Sequence, residues 1–539
     1  MSSVDARAAR REAALLATAF AVLYLLTLTA NHGEAEDAVG YAAGIRDGDA
    51  ASVLHPHHVL WGALAWVAHN LALALGYDGG ALGAIQFQNA LVGAAGVGLL
   101  WWWLRSLGWD RLGCAMACGV LGFSYGYWFY SGESEVYVLS ATLLIACLAL
   151  AHRAALRPSV RAFALLGLAN GLAVLTHDTN VLFAVPVLAA LLLSRGDAPL
   201  GELARRGLAY GLVAVAVTVP SYAAAALANG RESPAQAYDW LSSYAVSGPW
   251  GNLEPKMVPN GAIGAGRTLV GGHSAFAIDA TADAFGSRGG RNPREELYFM
   301  RDYPTGLAAV LLALTAAIAA LALAAAVRAW RARRALDAPA RALAILCACW
   351  AVTYAAFFTW WEPINVEFWI ATWVPLAILL AIPLRGGGAR RDRLLTGALV
   401  GLLAVVNLAG SMIPAGDDGD DYWRARTRWY ADNARPGDLV LVNNYLEAKY
   451  IRYFAGVQVV DPGDVAVEGA LEEVSLWRGR VLVSREAFDP GADEFSTCGG
   501  GDQCAKAARL RRALLPRARL VHRSPLEWVW ELRRPGGSP

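Results

Sequence analysis

Apolar stretches long enough to cross a lipid bilayer return throughout the first four fifths of this chain, and short arginine clusters separate them. A hydrocarbon core of ~30 Å takes about 20 residues of helix at ~1.5 Å each, and inside it every backbone polar group must be paired within the chain. Such stretches can only become helices packed on one another. An apolar share of 56% and a charged share of 17% over 539 residues agree with a polytopic membrane protein and not with a soluble enzyme. The net charge of +1, with its basic residues confined to positions between apolar runs, speaks against nucleic acid as a partner.

The arginines set the topology. Clusters at Arg7/Arg10/Arg11, Arg105/Arg111, Arg153/Arg157/Arg161, Arg195/Arg205/Arg206, Arg328 to Arg341 and Arg385 to Arg393 all face the cytoplasm under the positive-inside rule. Between successive clusters lie spans near 13–30, 81–104, 112–130, 136–151, 162–177, 180–194, 207–228, 305–327, 342–360, 367–384 and 394–413, about eleven in all. Leu28 and Ala30 do not make a small-x-small cleavage site before Asn31, so the first run reads as a retained span and not as a signal peptide. Val59–Leu75 breaks the alternation and reads as a helix lying along the membrane surface.

The expected fold class is therefore a polytopic α-helical membrane protein of about eleven transmembrane helices with a C-terminal soluble α/β domain. The transmembrane domain covers 1–413, with outer loops 31–80 and 229–304, and the tail covers 414–539. The tail shows short apolar runs, "DLVLVNN", "VQVVD", "GRVLVSR" and "EWVWEL", between helix-like stretches. Of seven cysteines, Cys114, Cys118, Cys147, Cys347 and Cys349 lie in expected spans as apolar filler, while Cys498 and Cys504 bracket "GGGDQ" in the tail. That pair can close a disulfide in an oxidising compartment.

The short outer turns, "YSGESEVY", "THDTN" and "WWEPINVEF", contain no Arg or Lys and carry Glu133, Glu135, His177, Asp178, Glu362, Asn365 and Glu367 instead. The first outer loop carries "NHGEAEDAVGY", then "HPHH" with His55, His57 and His58. Asp37 is followed by Ala38, Val39 and Tyr41, which bring it back to apolar surface where a charge needs a partner or a task. Glu34 lacks that company and reads as a surface residue.

These segments resemble the GT-C integral-membrane glycosyltransferases that use polyprenyl-phosphate-linked sugars, the protein O-mannosyltransferase and lipid A aminoarabinose-transferase type. Glu36-Asp37 ahead of Tyr41 is similar to the acidic pair of the first outer loop, "HPHHVLWGAL" to a loop helix of the "HPP" kind, "SGESEVYVLSA" to an "AEVYAL" stretch and "LTHDTNVLFAVP" to an "LNHxT" turn. Where the family often has a second Pro, this chain has His57 and His58. The resemblance covers residues 1 to about 200 in sequence and the remainder in architecture only. It implies inverting transfer, on the outer face of a bacterial inner membrane, from a polyprenyl-phosphate donor to a lipid, glycan or protein hydroxyl.

That chemistry needs a base for the acceptor hydroxyl, and Asp37 is the candidate, with Glu36 as a supporting carboxylate or metal ligand. It also needs cations, histidines or a divalent metal for the departing phosphate. Candidates are His55, His57, His58 and His177, and Arg267, Arg291, Arg294 and Arg301 from the long loop, with Glu135, Asp178, Glu362, Asn365 and Glu367 completing the substrate set. The histidine trio chelates only if it forms a turn; interfacial hydrogen bonding is its other reading. A transporter or lipid-linked-sugar flippase would also need many spans and intramembrane acids, but near the midplane of broken helices. Here the acids gather at outer ends. A sensor working through its tail would leave the outer loops without a task.

Overall fold

The computed structural model describes residues 3–247, 251, 254–286, 293–489 and 502–533. Arg291 and Cys498 lie outside the described residues. The chain divides into two compact units, one of Met1–Thr29, Gly44–Ala275 and Thr305–Ile413, the other of Ala30–Ala43, Phe276–Pro304 and Pro414–Pro539. Two stretches of the outer loops thus belong with the tail.

The first unit is helical. Among the described residues, seven helices are long and apolar enough to cross a membrane, and Arg111–Gly122 with Tyr125–Ser131, bent by 65°, makes an eighth if taken as one span. About eleven were expected. The difference is made by Ser3–Leu26, whose first half carries Arg7, Arg10, Arg11 and Glu12, and by the shorter apolar helices Val160–Thr176 and Asp178–Leu193. Val59–Ala74 is a helix of 16 residues, about 24 Å long and so short of the hydrocarbon thickness. It buries Trp61, Gly62 and Ala65 and leaves Trp66, Val67 and Leu71 bare.

The way the helices pack follows from their small residues. A methyl on Gly167 would stand 2.4 Å from the Tyr210 carbonyl oxygen and one on Gly171 3.1 Å from Val217 Cβ, so glycine lets Val160–Thr176 approach Leu200–Ala228 backbone to backbone. Among the described residues the far side of Leu200–Ala228 is open: only 11% of its apolar window is buried, against 61% for Tyr137–Leu156. Leu208, Leu212, Val215 and Val219 are exposed on it, a face that hydrocarbon solvates and water does not.

The second unit is built on a five-stranded sheet of β1 (Leu439–Leu441), β2 (Gln458–Val460), β3 (Val481–Val483), β4 (Ala518–Arg523) and β5 (Trp528–Leu532), ordered β2-β1-β3-β5-β4. β1 runs parallel to β2 and β3, and β5 is antiparallel to β3 and β4. Leu439, Leu441 and Val483 face one apolar core and Val440, Val442 and Leu482 another, which is why these strands are continuous apolar runs and do not alternate. Residues 30–43 are tied into this unit. Ala30 and Asn31 donate their backbone N–H groups to the Ala415 carbonyl at 2.7 and 2.9 Å, and His32 N–H donates to Asp421 Oδ2 at 2.9 Å.

Candidate functional site

Each unit gathers part of the expected residue set. In the helical unit the turn after Val160–Thr176 is fixed by Asn180, whose side-chain amide donates to Ser140 Oγ at 2.7 Å and the Ala173 carbonyl at 2.8 Å while Tyr354 O–H donates to its oxygen at 3.2 Å. The turn holds His177 and Asp178 at the helix end. Asp178 Oδ1 lies 3.3 Å from His177 Nδ1 and its Oδ2 3.4 Å from His57 Nδ1, and Asp178 N–H donates to the His57 carbonyl at 2.9 Å. The first-loop "HPHH" and the "THDTN" turn are thus brought together across about 120 residues of sequence. "HPHH" does form a turn, with His55 and His58 stacked at 4.6 Å between ring centroids.

The electrostatics of this cluster follow from its crowding. Burial alone would raise the Asp178 carboxyl, but the hydrogen bond and charge of His177 and the charge of His57 hold it below the usual range. Burial, then His55, His177 and His57, hold the His58 imidazole well below the usual histidine range, so that it is neutral at pH 7. Its role is therefore packing or neutral hydrogen bonding and not a fixed positive charge.

Aromatic rings carry the cluster onward. Tyr137 packs on His177 at 5.4 Å, on Tyr130 at 5.5 Å and on Phe368 at 5.8 Å. Tyr130 O–H donates to Glu367 Oε2 at 3.1 Å, and Asn365 Nδ2 to Glu367 Oε1 at 2.9 Å. Glu135 is buried just before Tyr137–Leu156, in a turn pinned by Asn89 Nδ2, which donates to the Glu133 and Glu135 carbonyls at 2.7 and 2.6 Å. Arg267 Nε donates to the Gly271 carbonyl at 3.0 Å, closing its own helix. Glu362 is the C-cap of Ala338–Trp361.

The second unit holds the first-loop acids. Asp37 precedes the helix Ala38–Asp47. Its Oδ1 pairs with Lys449 Nζ at 2.5 Å, and Tyr41 O–H donates to its Oδ2 at 3.3 Å. Glu36 Oε2 accepts from Tyr445 O–H at 2.6 Å. Glu34, expected on the surface, is buried, because residues 30–43 pack as part of a compact unit and do not stand out as a loop. Arg294 is buried, 3.5 Å from Glu486 and stacked over Trp423 at 4.8 Å. Arg301 pairs with Asp420 at 3.0 Å and lies over Tyr298 at 3.8 Å. Both cations already have acids of the same unit beside them.

Asn444, which follows β1, caps Tyr445–Phe454 by accepting from the Leu446 and Glu447 N–H groups at 2.9 and 3.2 Å. Cys504 is disulfide-bonded. Sequence reasoning passed over Tyr130, Tyr137, Tyr445 and Lys449. The tyrosines had a signal in their place beside outer acids; Lys449 had only its rarity, as one of three lysines in the chain.

A polytopic bundle of apolar helices joined to a small α/β unit is a fold already known. No protein-family model matches the sequence, and no curated protein does. Among the solved structures that match are the ArnT of Cupriavidus metallidurans bound to undecaprenyl phosphate, at TM-score 0.59 and 14% identity, and the same protein in its apo state, at 0.59 and 13%. Each match covers 96% of this chain and 97% of the other. The chain therefore has the fold of ArnT, the GT-C architecture that the first-loop motifs resemble.

Proposed function

We propose that this chain is a bacterial inner-membrane glycosyltransferase that moves a sugar from a polyprenyl-phosphate donor to a lipid, glycan or protein hydroxyl, with inversion, on the periplasmic face. The observation that carries the reading is the fold likeness to ArnT bound to undecaprenyl phosphate, running through 96% of this chain. In the proposed step Asp37 takes the proton of the acceptor hydroxyl. The acceptor oxygen bonds to the anomeric carbon as the bond from that carbon to the phosphate oxygen breaks, and the phosphate leaves with the electron pair. Glu36 is the supporting carboxylate. His57 and His177, oriented by Asp178, and Arg267 are the groups of the helical unit proposed to meet the charge gathering on the phosphate. Glu135, Asn365 and Glu367 are proposed to bind sugar hydroxyls.

The test is release of undecaprenyl phosphate from undecaprenyl-phosphate-linked sugars by the purified full chain. Asp37→Asn should lower the rate by about 100-fold or more with insertion and folding unchanged. Full transfer by Asp37→Asn would remove the base assignment, and no consumption of any such donor would remove the reading itself.

A further inference from the structure

The structure assigns Lys449 and Tyr445 as positioning residues that set the geometry and charge of the first-loop acids, so that the α/β unit is a working part of the catalytic machinery. This deepens the proposed function and rests on Asp37 being the base.

Four observations carry it. Tyr445 and Lys449 stand four residues apart on the helix Tyr445–Phe454 and so share one face; that face takes both acids, Tyr445 O–H on Glu36 Oε2 at 2.6 Å and Lys449 Nζ on Asp37 Oδ1 at 2.5 Å. Lys449 also lies 3.4 Å from the Glu36 carbonyl oxygen and 4.7 Å above the Tyr445 ring, which fixes its ammonium from two further sides. A methyl on Gly40 would stand 3.0 Å from Lys449 Cδ and 3.1 Å from Cε, so the helix that follows the acids leaves a groove for the lysine stem. Finally, a chain that otherwise uses arginine places one of its three lysines here. A compact ammonium at the end of a thin stem passes where a forked guanidinium would not.

The consequence is chemical. An ammonium against a carboxylate favours the ionised form, so Lys449 holds Asp37 ionised, while Tyr445 and Tyr41 hold the two acids in place.

Infrared difference titration of the full chain in detergent tests this without any donor. Subtracting Asp37→Asn from wild type isolates the Asp37 carboxylate; subtracting Lys449→Met/Asp37→Asn from Lys449→Met isolates it again without the lysine. The midpoint should move up by about one pH unit on loss of Lys449. An unmoved midpoint in Lys449→Met overturns the assignment. Gly40→Ala, which displaces the stem and leaves the charge intact, should weaken the same coupling; if Lys449→Met fails to fold, an unmoved midpoint in Gly40→Ala overturns it instead. Loss of transfer in Asp37→Asn together with an unmoved midpoint defeats this inference alone, whereas full transfer in Asp37→Asn defeats the base reading and this inference with it.

Discussion

Arg426 is buried among three buried carboxylates, with Glu486 Oε1 and Glu527 Oε2 at 2.8 Å and Glu447 Oε1 at 3.5 Å. One cation cannot satisfy three anions in a low-dielectric site. Burial pushes the Glu527 carboxyl up to about 7 although Arg426 and the Arg485 N–H act to lower it, and Glu447 is raised by burial and by Glu527. A carboxyl raised above its ordinary 4.5 holds a proton in the fold that the unfolded chain has released. Its contribution to stability is therefore full below about 4.5 and is lost as pH rises to about 7, a change on the order of 3 kcal/mol at ~1.4 kcal/mol per unit. Glu527→Gln should remove the part of that slope that Glu527 contributes. Oε1, which accepts from Arg485 N–H at 2.8 Å and Tyr430 O–H at 3.2 Å, is retained as the amide oxygen. Melting followed by tryptophan fluorescence in detergent should give similar midpoints for the two proteins at pH 5 and a higher one for the variant at pH 8. At about 2–4 °C per kcal/mol for a unit of this size the gap approaches ~6–12 °C. A gap that does not change with pH refutes the proton's place in the cluster.

The same cluster makes Arg426→Met a severe change: it leaves Glu486 with Arg294 alone and Glu447 and Glu527 without the guanidinium they share, and should cost about 3–5 kcal/mol, read as a lost folded peak in size-exclusion chromatography at pH 8 that is partly regained at pH 5. Gly167→Ala puts a methyl 2.4 Å from the Tyr210 carbonyl oxygen, so the two helices must part at a cost of about 1–3 kcal/mol; a melting temperature equal to wild type would show that the contact yields. Because Cys504 is disulfide-bonded, a membrane-impermeant reductant followed by an impermeant maleimide should label the tail in intact spheroplasts. Protection of the tail until the membrane is broken would overturn the proposed periplasmic placement.

The helical membrane class could be read from the sequence because bilayer thickness and backbone hydrogen bonding leave a long apolar run one option, and the turns that cluster in the helical unit were visible as acids and histidines without arginine. What escaped has a common physical cause. Charge in a sequence reads as solvated, and only three-dimensional neighbours distinguish a solvated charge from a buried one. Glu34 read as a surface acid and is buried. Arg294 and Arg301 read as free cations awaiting phosphate, yet they meet Glu486 and Asp420, more than a hundred residues on. Asp37 meets a lysine separated from it by 412 residues, a distance no local pattern spans. The bend of 65° between Arg111–Gly122 and Tyr125–Ser131 was hidden for the opposite reason, since its apolar residues satisfy the requirement for a span equally well straight or bent. The acids and the lysine together explain why residues 30–43 cluster with the tail: an ion pair and a tyrosine hydrogen bond join them across that separation, and an acid held from the tail cannot be read from the loop that contains it.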